Sequence, residues 1–385
     1  MQKRVTALAT RSTLLLVTAL MMLACSKEKP AEPGEQAESP SKSETSVQLQ
    51  PAPTVYKVVE TFNVGSNIYV RSMAIDKANA RLWVGTSTGV IEVDANTHNL
   101  RRTYTRKEGL ANEYIFGMMI DNIGRKWFGS NGGGASVYND GQWKTYFPMH
   151  GLADYWVYSF TQQKNGTIWI GTWAGLSRFD SKTETFTNYV KELVNEWVYG
   201  LTVDSKDQVW IGTEGGINMY DGTQFHVWTH KDGLGAPNKD HLPPSNNTGL
   251  GTRTRHDLTV TTAGMPTYNP NYVFSLVAAK KDDTIWAGTW GGGISHFDGK
   301  TWHNFTMSDG LPGNIVYSVE EDEQGQIWAG TNGGLALYDG KQWTKFTTTD
   351  GLLDNNIYAI AAAGNGEIWV GSKNGVMLLA KLAQQ

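Results

Sequence analysis

Two histidine–carboxylate pairs have the residue types and spacing that acid–base chemistry requires. Asp240 precedes His241, and His256 precedes Asp257; the nearby basic residues are Lys239, Arg253 and Arg255. A histidine oriented by a carboxylate is a common general acid or base, and such groups also bind metals. The surrounding segment is rich in Gly, Pro, Asn and Thr, which favours a flexible lid instead. Because the sequence also lacks a nucleophile elbow, a phosphate loop and an HExxH motif, catalysis is the weaker hypothesis, and we expect no cofactor and no metal.

Aromatic residues form a second group, at equivalent points of a repeated unit. The residue before the first core Val or Ile of each copy is, in chain order, Tyr69, Tyr114, Trp156, Trp197, Tyr272, Ile315 and Asn356. A second position, directly after a recurring Gly-Thr or Gly-Ser pair, varies freely and holds Ser87, Asn131, Trp173, Glu214, Trp290, Asn332 and Lys373. Aromatic rings edged by Asn, Glu and Arg would suit a sugar or another flat ligand. The alternatives are that the rings plug a channel or that the surface binds a partner protein.

Seven copies of a Trp-x-Gly-Thr/Ser motif reveal the elements that position these residues. The tryptophans are Trp83, Trp127, Trp169, Trp210, Trp286, Trp328 and Trp369. Their spacings are 44, 42, 41, 76, 42 and 41 residues, so one interval carries an insertion at about 235–268. We expect these tryptophans to pack between repeats.

The sixth copy shows four short strands divided by turn residues. Strand A is predicted over Ile315–Glu320, B over Gln326–Thr331, C over Leu335–Tyr338 and D over Trp343–Thr347. Tandem four-stranded units of about 42 residues are typical of β-propeller blades. The last copy lacks strand D, and residues 56–62 resemble a strand D without its blade. We therefore predict an all-β, seven-bladed propeller closed by an N-terminal strand.

The copies resemble the two-component regulator propeller repeat, and the resemblance covers about 55–382. In the sixth copy the shared pattern runs from Gly310-Leu311-Pro312 through Asp322 and Gly325 to Trp328 and Tyr338-Asp339. The resemblance implies an extracytoplasmic sensor propeller of the kind that is often attached to a histidine kinase and recognises glycan fragments. Since the printed sequence contains no kinase region, the resemblance carries over the fold and the style of recognition and not the signalling output.

In such a meander, the D-to-A and B-to-C connections lie on one face of the ring. Both series of variable residues and the 235–268 insertion are therefore expected on that face. Trp173 and Trp290 are expected on exposed turns, where a tryptophan usually contacts something. A series of Tyr and Phe residues directly follows the first core Val or Ile of strand A and is expected to pack mostly between blades. Its members are Phe116, Tyr158, Tyr199, Phe274, Tyr317 and Tyr358. The first copy has Arg71 there, which near the axis would need an anion or water.

The N-terminal region predicts export and a lipid anchor. Lys3 and Arg4 precede a ten-residue apolar run that ends in Met22-Leu23-Ala24-Cys25. This is a signal peptide over 1–24, and its end resembles a bacterial lipobox, so Cys25 is the predicted lipidation site. Residues 25–54 are rich in Pro, Ser and Glu and are predicted to form a disordered tether. We expect a cell-envelope protein, in the outer membrane by analogy with enteric bacteria, that contacts the membrane only through this anchor.

Composition excludes several classes of protein. The chain has 33 Lys and Arg residues against 37 Asp and Glu residues, which argues against binding to a nucleic-acid backbone. Its single Cys excludes a disulfide framework. Three hypotheses follow: a ligand-binding propeller that takes a glycan or similar small molecule, an envelope scaffold that binds a protein partner, and, less favoured, a lyase that uses His241 or His256.

Overall fold

The computed structural model describes residues 56–245 and 267–382, and these residues form seven four-stranded antiparallel sheets. Strand β1 (Tyr56–Asn63) precedes the first complete blade. Blade one contains β2 (Val70–Asp76), β3 (Arg81–Thr86), β4 (Gly89–Asp94) and β5 (Leu100–Tyr104). Blade two contains β6 (Ile115–Ile120), β7 (Lys126–Ser130), β8 (Ala135–Asn139) and β9 (Gln142–Tyr146). Blade three contains β10 (Val157–Gln162), β11 (Ile168–Thr172), β12 (Gly175–Asp180) and β13 (Thr185–Tyr189).

The remaining blades follow the same order. Blade four contains β14 (Val198–Val203), β15 (Val209–Thr213), β16 (Ile217–Tyr220) and β17 (Phe225–Trp228). Blade five contains β18 (Asn269–Ala278), β19 (Ile285–Trp290), β20 (Ile294–Phe297) and β21 (Trp302–Phe305). Blade six contains β22 (Val316–Glu321), β23 (Ile327–Thr331), β24 (Leu335–Tyr338) and β25 (Trp343–Phe346). Blade seven contains β26 (Ile357–Gly364), β27 (Glu367–Ser372) and β28 (Gly375–Lys381).

Strand β1 completes blade seven and closes the ring. It pairs antiparallel with β28, from Tyr56 opposite Lys381 to Asn63 opposite Gly375. The first strands β2, β6, β10, β14, β18, β22 and β26 contact one another in that order, and β26 contacts β2. The predicted seven-bladed propeller with N-terminal closure is confirmed, because blade seven gains its fourth strand from β1 and all seven sheets then have four strands.

The frame tryptophans lie in the core, as predicted, and three of them are tied to an aspartate of their own blade. All seven are 0–4% exposed. In blade six the indole Nε1 of Trp328 donates to Oδ2 of Asp322 at 2.9 Å, and Oδ1 accepts the backbone N–H groups of Gln324 and Gln326. One carboxylate therefore closes the A–B turn and holds the tryptophan between two blades.

The frame glycines permit the blades to approach closely. Gly330 lies opposite Ser318 in the β22–β23 ladder. A Cβ on Gly330 would lie 2.6 Å from the carbonyl oxygen of Ile357, in the first strand of the next blade. Since backbone atoms cannot yield at that distance, a side chain here would push blade seven away.

Five short 3₁₀ turns lead from strand D to the next strand A. They are Arg106–Glu108, Pro148–His150, His230–Asp232, Met307–Asp309 and Thr348–Asp350. In the fourth, Thr306 N–H donates to Asp309 at 2.8 Å, and Gly310 ends the turn at φ 108°. Leu311 then enters the core at 3% exposure. In these five connections the turn thereby fixes where the following first strand begins, and with it the residues at the mouth of the ring.

Candidate functional site

The two variable series meet at the mouth of the ring. In five blades, the backbone N–H of the first B-to-C turn residue donates to the carbonyl oxygen of the residue that precedes strand A of the same blade. The pairs and N–O distances are Ser87–Tyr69 at 3.0 Å, Asn131–Tyr114 at 2.9 Å, Trp173–Trp156 at 3.1 Å, Glu214–Trp197 at 3.3 Å and Asn332–Ile315 at 3.0 Å. The structure thus brings together the residues that the repeat alignment placed on one face. Their role in binding stays a prediction.

The mouth aromatics are packed against one another rather than standing free. Trp156, Trp197 and Tyr272 are 8%, 9% and 4% exposed, whereas Tyr69 and Tyr114 are only partly buried. The rings of Trp173 and Trp197 stack with centroids 5.1 Å apart. The mouth is therefore most closed at blades three to five and offers more ring surface at blades one and two.

The expectation of an exposed Trp290 is wrong. Trp290 is the last residue of β19 and is 1% exposed. Its indole N–H donates to the hydroxyl of Thr267 at 2.8 Å, and its ring stacks on Tyr272 with centroids 5.7 Å apart. Strand β18 begins directly after the insertion, and its first residue, Asn269, pairs with Trp290. Sequence comparison with the other blades could not show this burial, because none of them has an insertion at that point. Trp173, by contrast, is partly exposed.

A second tier of aromatic rings lies one step down the channel, where the sequence analysis expected packing between blades. Successive rings contact around the axis, with the centroids of Tyr158 and Tyr199 4.9 Å apart and those of Tyr317 and Tyr358 5.1 Å apart. The tier consists of Phe116, Tyr158, Tyr199, Phe274, Tyr317 and Tyr358, with Arg71 in the seventh place.

A β-bulge in each first strand explains why these rings surround the channel rather than only packing between blades. Every first strand has a register shift at this residue; in blade one Val70 pairs with Thr86 and Ser72 with Gly85, so Arg71 is left unpaired. The same shift recurs in the other six blades. A bulge re-aims the extra side chain. Strict strand alternation would direct the Tyr/Phe series away from the channel, and the bulge directs it toward the axis.

This tier surrounds a cavity of about 270 Å³ on the propeller axis. Residues from the first strand of every blade line it, and its floor includes Met73, Met118, Phe160, Leu201 and Ile360. The wall therefore combines flat rings, tyrosine hydroxyls and one guanidinium, a mixture typical of small-ligand sites. The sequence analysis selected Arg71 and Tyr272 from this wall but missed the second-tier tyrosines and phenylalanines, for which the bulge was the missing signal.

The cavity wall carries positive charge. The Arg71 guanidinium lies over the ring of Tyr358, 5.1 Å from its centroid, and within the described ranges no carboxylate lies within 4 Å of it. Burial raises the pKa of Tyr358 and of Tyr317 far above the usual range, with Arg71 opposing the shift and Asp354 adding to it. Both hydroxyls are therefore neutral hydrogen-bond donors at physiological pH.

The predicted polar residues have structural roles at the rim. Oδ1 of Asn332 accepts the backbone N–H of Ile315 at 3.2 Å, and the carbonyl oxygen of Asn131 accepts from Asn112 at 2.8 Å. Glu214 is 7% exposed, so its carboxylate belongs to the packed side of the mouth. These contacts hold the B–C turns against the first strands and leave any contact with a ligand untested.

The histidine–carboxylate pairs lie only partly within the described ranges. Asp240 and His241 are exposed, and His241 has a left-handed backbone with φ 50°. His256, Asp257, Arg253 and Arg255 lie outside the described residues, as do Cys25 and the 25–54 tether. Across 56–245 and 267–382, no group of three or more His, Cys, Asp or Glu side chains could hold a metal ion. No helix in these ranges is long and apolar enough to cross a bilayer.

Solved structures with the same architecture include two kinds of protein. An extracellular domain assigned to a hybrid two component system of B. thetaiotaomicron matches 85% of this chain with a TM-score of 0.66 and 22% identity. A second such domain from that organism covers 84% with a TM-score of 0.62 and 19% identity. Virginiamycin B lyase from Staphylococcus aureus covers 85% with a TM-score of 0.62 and 12% identity.

The two groups differ in how much of their own length is matched. This chain spans 41% and 39% of the two extracellular domains but 100% of the lyase chain. At these identities the likeness shows the fold alone. The search of curated proteins gave no match.

The repeats themselves match a known family. The two component regulator propeller family matches residues 151–174, 310–333 and 351–374, which lie at the D–A turns and first two strands of blades three, six and seven. The remaining four blades repeat the same frame in the same ring. Three of the seven blades therefore match the two-component regulator propeller repeat, and all seven blades share the same frame in one ring.

Proposed function

We propose that this propeller is a non-catalytic recognition domain of the bacterial cell envelope, which binds a small glycan-like or other flat ligand on its axial face. The observation that carries the proposal is the cavity of about 270 Å³ at the centre of two tiers of aromatic rings. A cavity lined in this way offers stacking surfaces and hydroxyl groups to a guest.

The chemistry of the wall supports a ligand with flat faces. Rings such as Tyr69 and Tyr114 keep exposed surface at the mouth, and Tyr317 and Tyr358 stand below them. Aromatic faces contribute large contact area at little cost in side-chain entropy. Asn131 and Asn332 at the rim would complement the polar edge of such a ligand.

The envelope location rests on the N-terminal sequence. A signal peptide over 1–24, lipidation at Cys25 and the tether over 25–54 would hold the ring at a membrane outside the cytoplasm. Two of the similar solved structures are extracellular domains, which agrees with such a location. The finer assignment to the outer membrane depends on analogy with enteric bacteria.

Ligand binding is tested by measuring thermal stability and tryptophan fluorescence of the full chain against a panel of monosaccharides, disaccharides and aromatic acids. A ligand should raise the melting temperature and quench fluorescence. Tyr114→Ala and Trp197→Ala should weaken its binding by about 1–3 kcal/mol, the usual loss of one stacking contact. Trp228→Ala, in the outermost strand of the same blade as Trp197, is the control and should keep the affinity. Unchanged affinity in both mouth variants would contradict the proposal.

A second candidate function, a scaffold for an envelope protein, is favoured by apolar residues exposed on the D–A connections. The exposed apolar residues of these connections are Met149, Tyr155, Val190, Val194, Met307 and Leu353. Exposed apolar side chains that share a face often mark contact with another protein. A partner that co-purifies in fixed ratio and is released by Met149→Ser with Met307→Ser would support this function.

The lyase hypothesis stays the least favoured. His241 is exposed and away from the axial cavity lining, and His256 lies outside the described residues. Turnover of a streptogramin that a His241→Ala/His256→Ala double variant abolished would revive it.

A further inference from the structure

Arg71 departs from the pattern of its tier. The other six blades place Tyr or Phe at the equivalent bulge, and among the described lining residues of the cavity Arg71 alone carries a charge. Arg71 as a whole is partly buried in the inner strand β2. A charge removed from water is costly unless an anion or hydrogen-bond partner compensates it.

The protein supplies only weak compensation. Among the described residues the guanidinium contacts the face of Tyr358, with its carbon 5.1 Å from the ring centroid, and it has no carboxylate within 4 Å. A cation–π contact stabilises a cation, but it supplies no hydrogen-bond acceptor to the five N–H donors of the guanidinium. These donors are arranged to bind a carboxylate in a bidentate manner.

A second cation lies on the same side of the mouth. Lys373 Nζ stands 5.5 Å from the centroid of Tyr69, and the rings of Tyr69 and Tyr358 are 5.7 Å apart. The carboxylate that acts on this tier is Asp354, and its Oδ1 already accepts the backbone N–H and the side-chain N–H of Asn356 at 2.7 and 3.0 Å. Two cations against one engaged carboxylate leave this part of the cavity positive.

The size of the cavity restricts the guest. A volume of about 270 Å³ corresponds to roughly nine water molecules at about 30 Å³ each. An engineered cavity of about 150 Å³ in another protein holds one benzene ring. The axial cavity therefore has room for one six-membered ring with a substituent.

We propose that the axial cavity binds a small carboxylate on a single flat ring, with the carboxylate on Arg71 and the ring against Tyr358 and Tyr317. This inference rests on the proposed ligand-binding function and specifies the class of ligand. The neutral tyrosine hydroxyls donate to the guest without adding negative charge, and Lys373 attracts the anion toward the mouth.

The test compares two matched pairs of probes on the full chain: benzoate with benzamide, and glucuronate with glucose. Within each pair the ring is the same or nearly so, and only one member carries a carboxylate. Binding is measured by fluorescence titration and calorimetry up to about 10 mM, which detects affinities in the millimolar range. In at least one pair, the carboxylate should bind at least about tenfold more tightly, about 1.4 kcal/mol. The pair that shows the preference distinguishes an aromatic acid from an acidic sugar.

Variants assign the preference to Arg71. Arg71→Gln should remove the preference and leave the affinity for the neutral probe within about twofold, and Arg71→Lys should restore part of it. Arg102→Gln is the matched control, because Arg102 also lies over a tyrosine, 4.9 Å from the centroid of Tyr104, but is exposed on the outer strand β5. It should leave both affinities unchanged.

Three outcomes would overturn the inference. Equal binding of the charged and neutral members would refute the anion site while the proposed ligand-binding function stood. A preference that survived in Arg71→Gln would refute the assignment to this residue. Failure of all four probes to bind would refute the single-ring carboxylate class, and the wider ligand panel would then decide the proposed function separately.

Discussion

The bond between Trp328 and Asp322 should contribute measurably to stability, and the ring contains its own control. Trp328 and Trp369 occupy equivalent places in neighbouring blades, and both are 0% exposed. The indole N–H of Trp328 donates to Asp322 at 2.9 Å, whereas that of Trp369 has no hydrogen-bond partner within residues 56–245 and 267–382. Replacement of each tryptophan by Phe therefore removes similar packing but only one hydrogen bond.

A hydrogen bond to a charged group contributes about 1.5–3 kcal/mol. Trp328→Phe should consequently lower the free energy of unfolding by about 1.5–3 kcal/mol more than Trp369→Phe. Asp322→Ala should cost about 3–5 kcal/mol, because it also removes the acceptor for the backbone N–H groups of Gln324 and Gln326. The double variant Trp328→Phe/Asp322→Ala completes a double-mutant cycle for this hydrogen bond. The coupling energy should be about 1.5–3 kcal/mol, since the loss of the turn contacts of Asp322 is the same with and without Trp328.

Urea unfolding followed by far-UV circular dichroism measures these differences without relying on the tryptophans that are replaced. The slope of the transition should stay the same, so that a shift of the midpoint reports stability. A coupling energy below about 0.5 kcal/mol, the usual error of additivity, would refute the reasoning. Equal costs for Trp328→Phe and Trp369→Phe would refute it as well.

Two further predictions concern ring closure and pH. Tyr56 in β1 is 2% exposed and packs edge-on against Trp328, with ring centroids 4.8 Å apart. Tyr56→Ala should therefore lower the free energy of unfolding in urea by about 3–5 kcal/mol. Lys57→Ala, at an exposed position of the same strand, is the control and should change it by less than about 0.5 kcal/mol. Burial raises the pKa of Glu320 from 4.5 to about 7, so between these values the unfolded chain releases a proton that the native protein keeps. The free energy of unfolding of the wild type should therefore fall relative to that of Glu320→Gln as pH rises through this window, by at most about 3.4 kcal/mol; a wild-type curve parallel to that of Glu320→Gln from pH 4.5 to 7 would contradict this.

Much of the fold could be predicted from the sequence because each blade is specified locally. The Trp-x-Gly-Thr/Ser frame and the turn glycines recur in units of about 42 residues, so they can be aligned without knowledge of tertiary contacts. In blade six, strand C was predicted at its observed bounds, and strands A, B and D to within one residue. The strand that lacked a blade at the N-terminus also predicted the closure.

The candidate site was predicted less well, because its geometry depends on departures from the repeat. Trp290 was expected on an exposed turn, yet Thr267 and strand β18 bury it. The alignment identified the insertion, but it could not show which residues the ends of that insertion would cover.

By itself, the sequence determined the number of blades, their strand order, the closure and the residues that meet at the mouth, since these follow from a short-range pattern repeated seven times. The tertiary structure decided the direction of the side chain that follows the first core Val or Ile of each strand A. A bulge in each first strand interrupts the alternation of side chains and aims Arg71, Tyr317 and Tyr358 at the axis. Because a bulge is defined by the pairing of two strands, it has no signature in one strand alone, and the cavity it creates becomes visible only when all seven blades surround it.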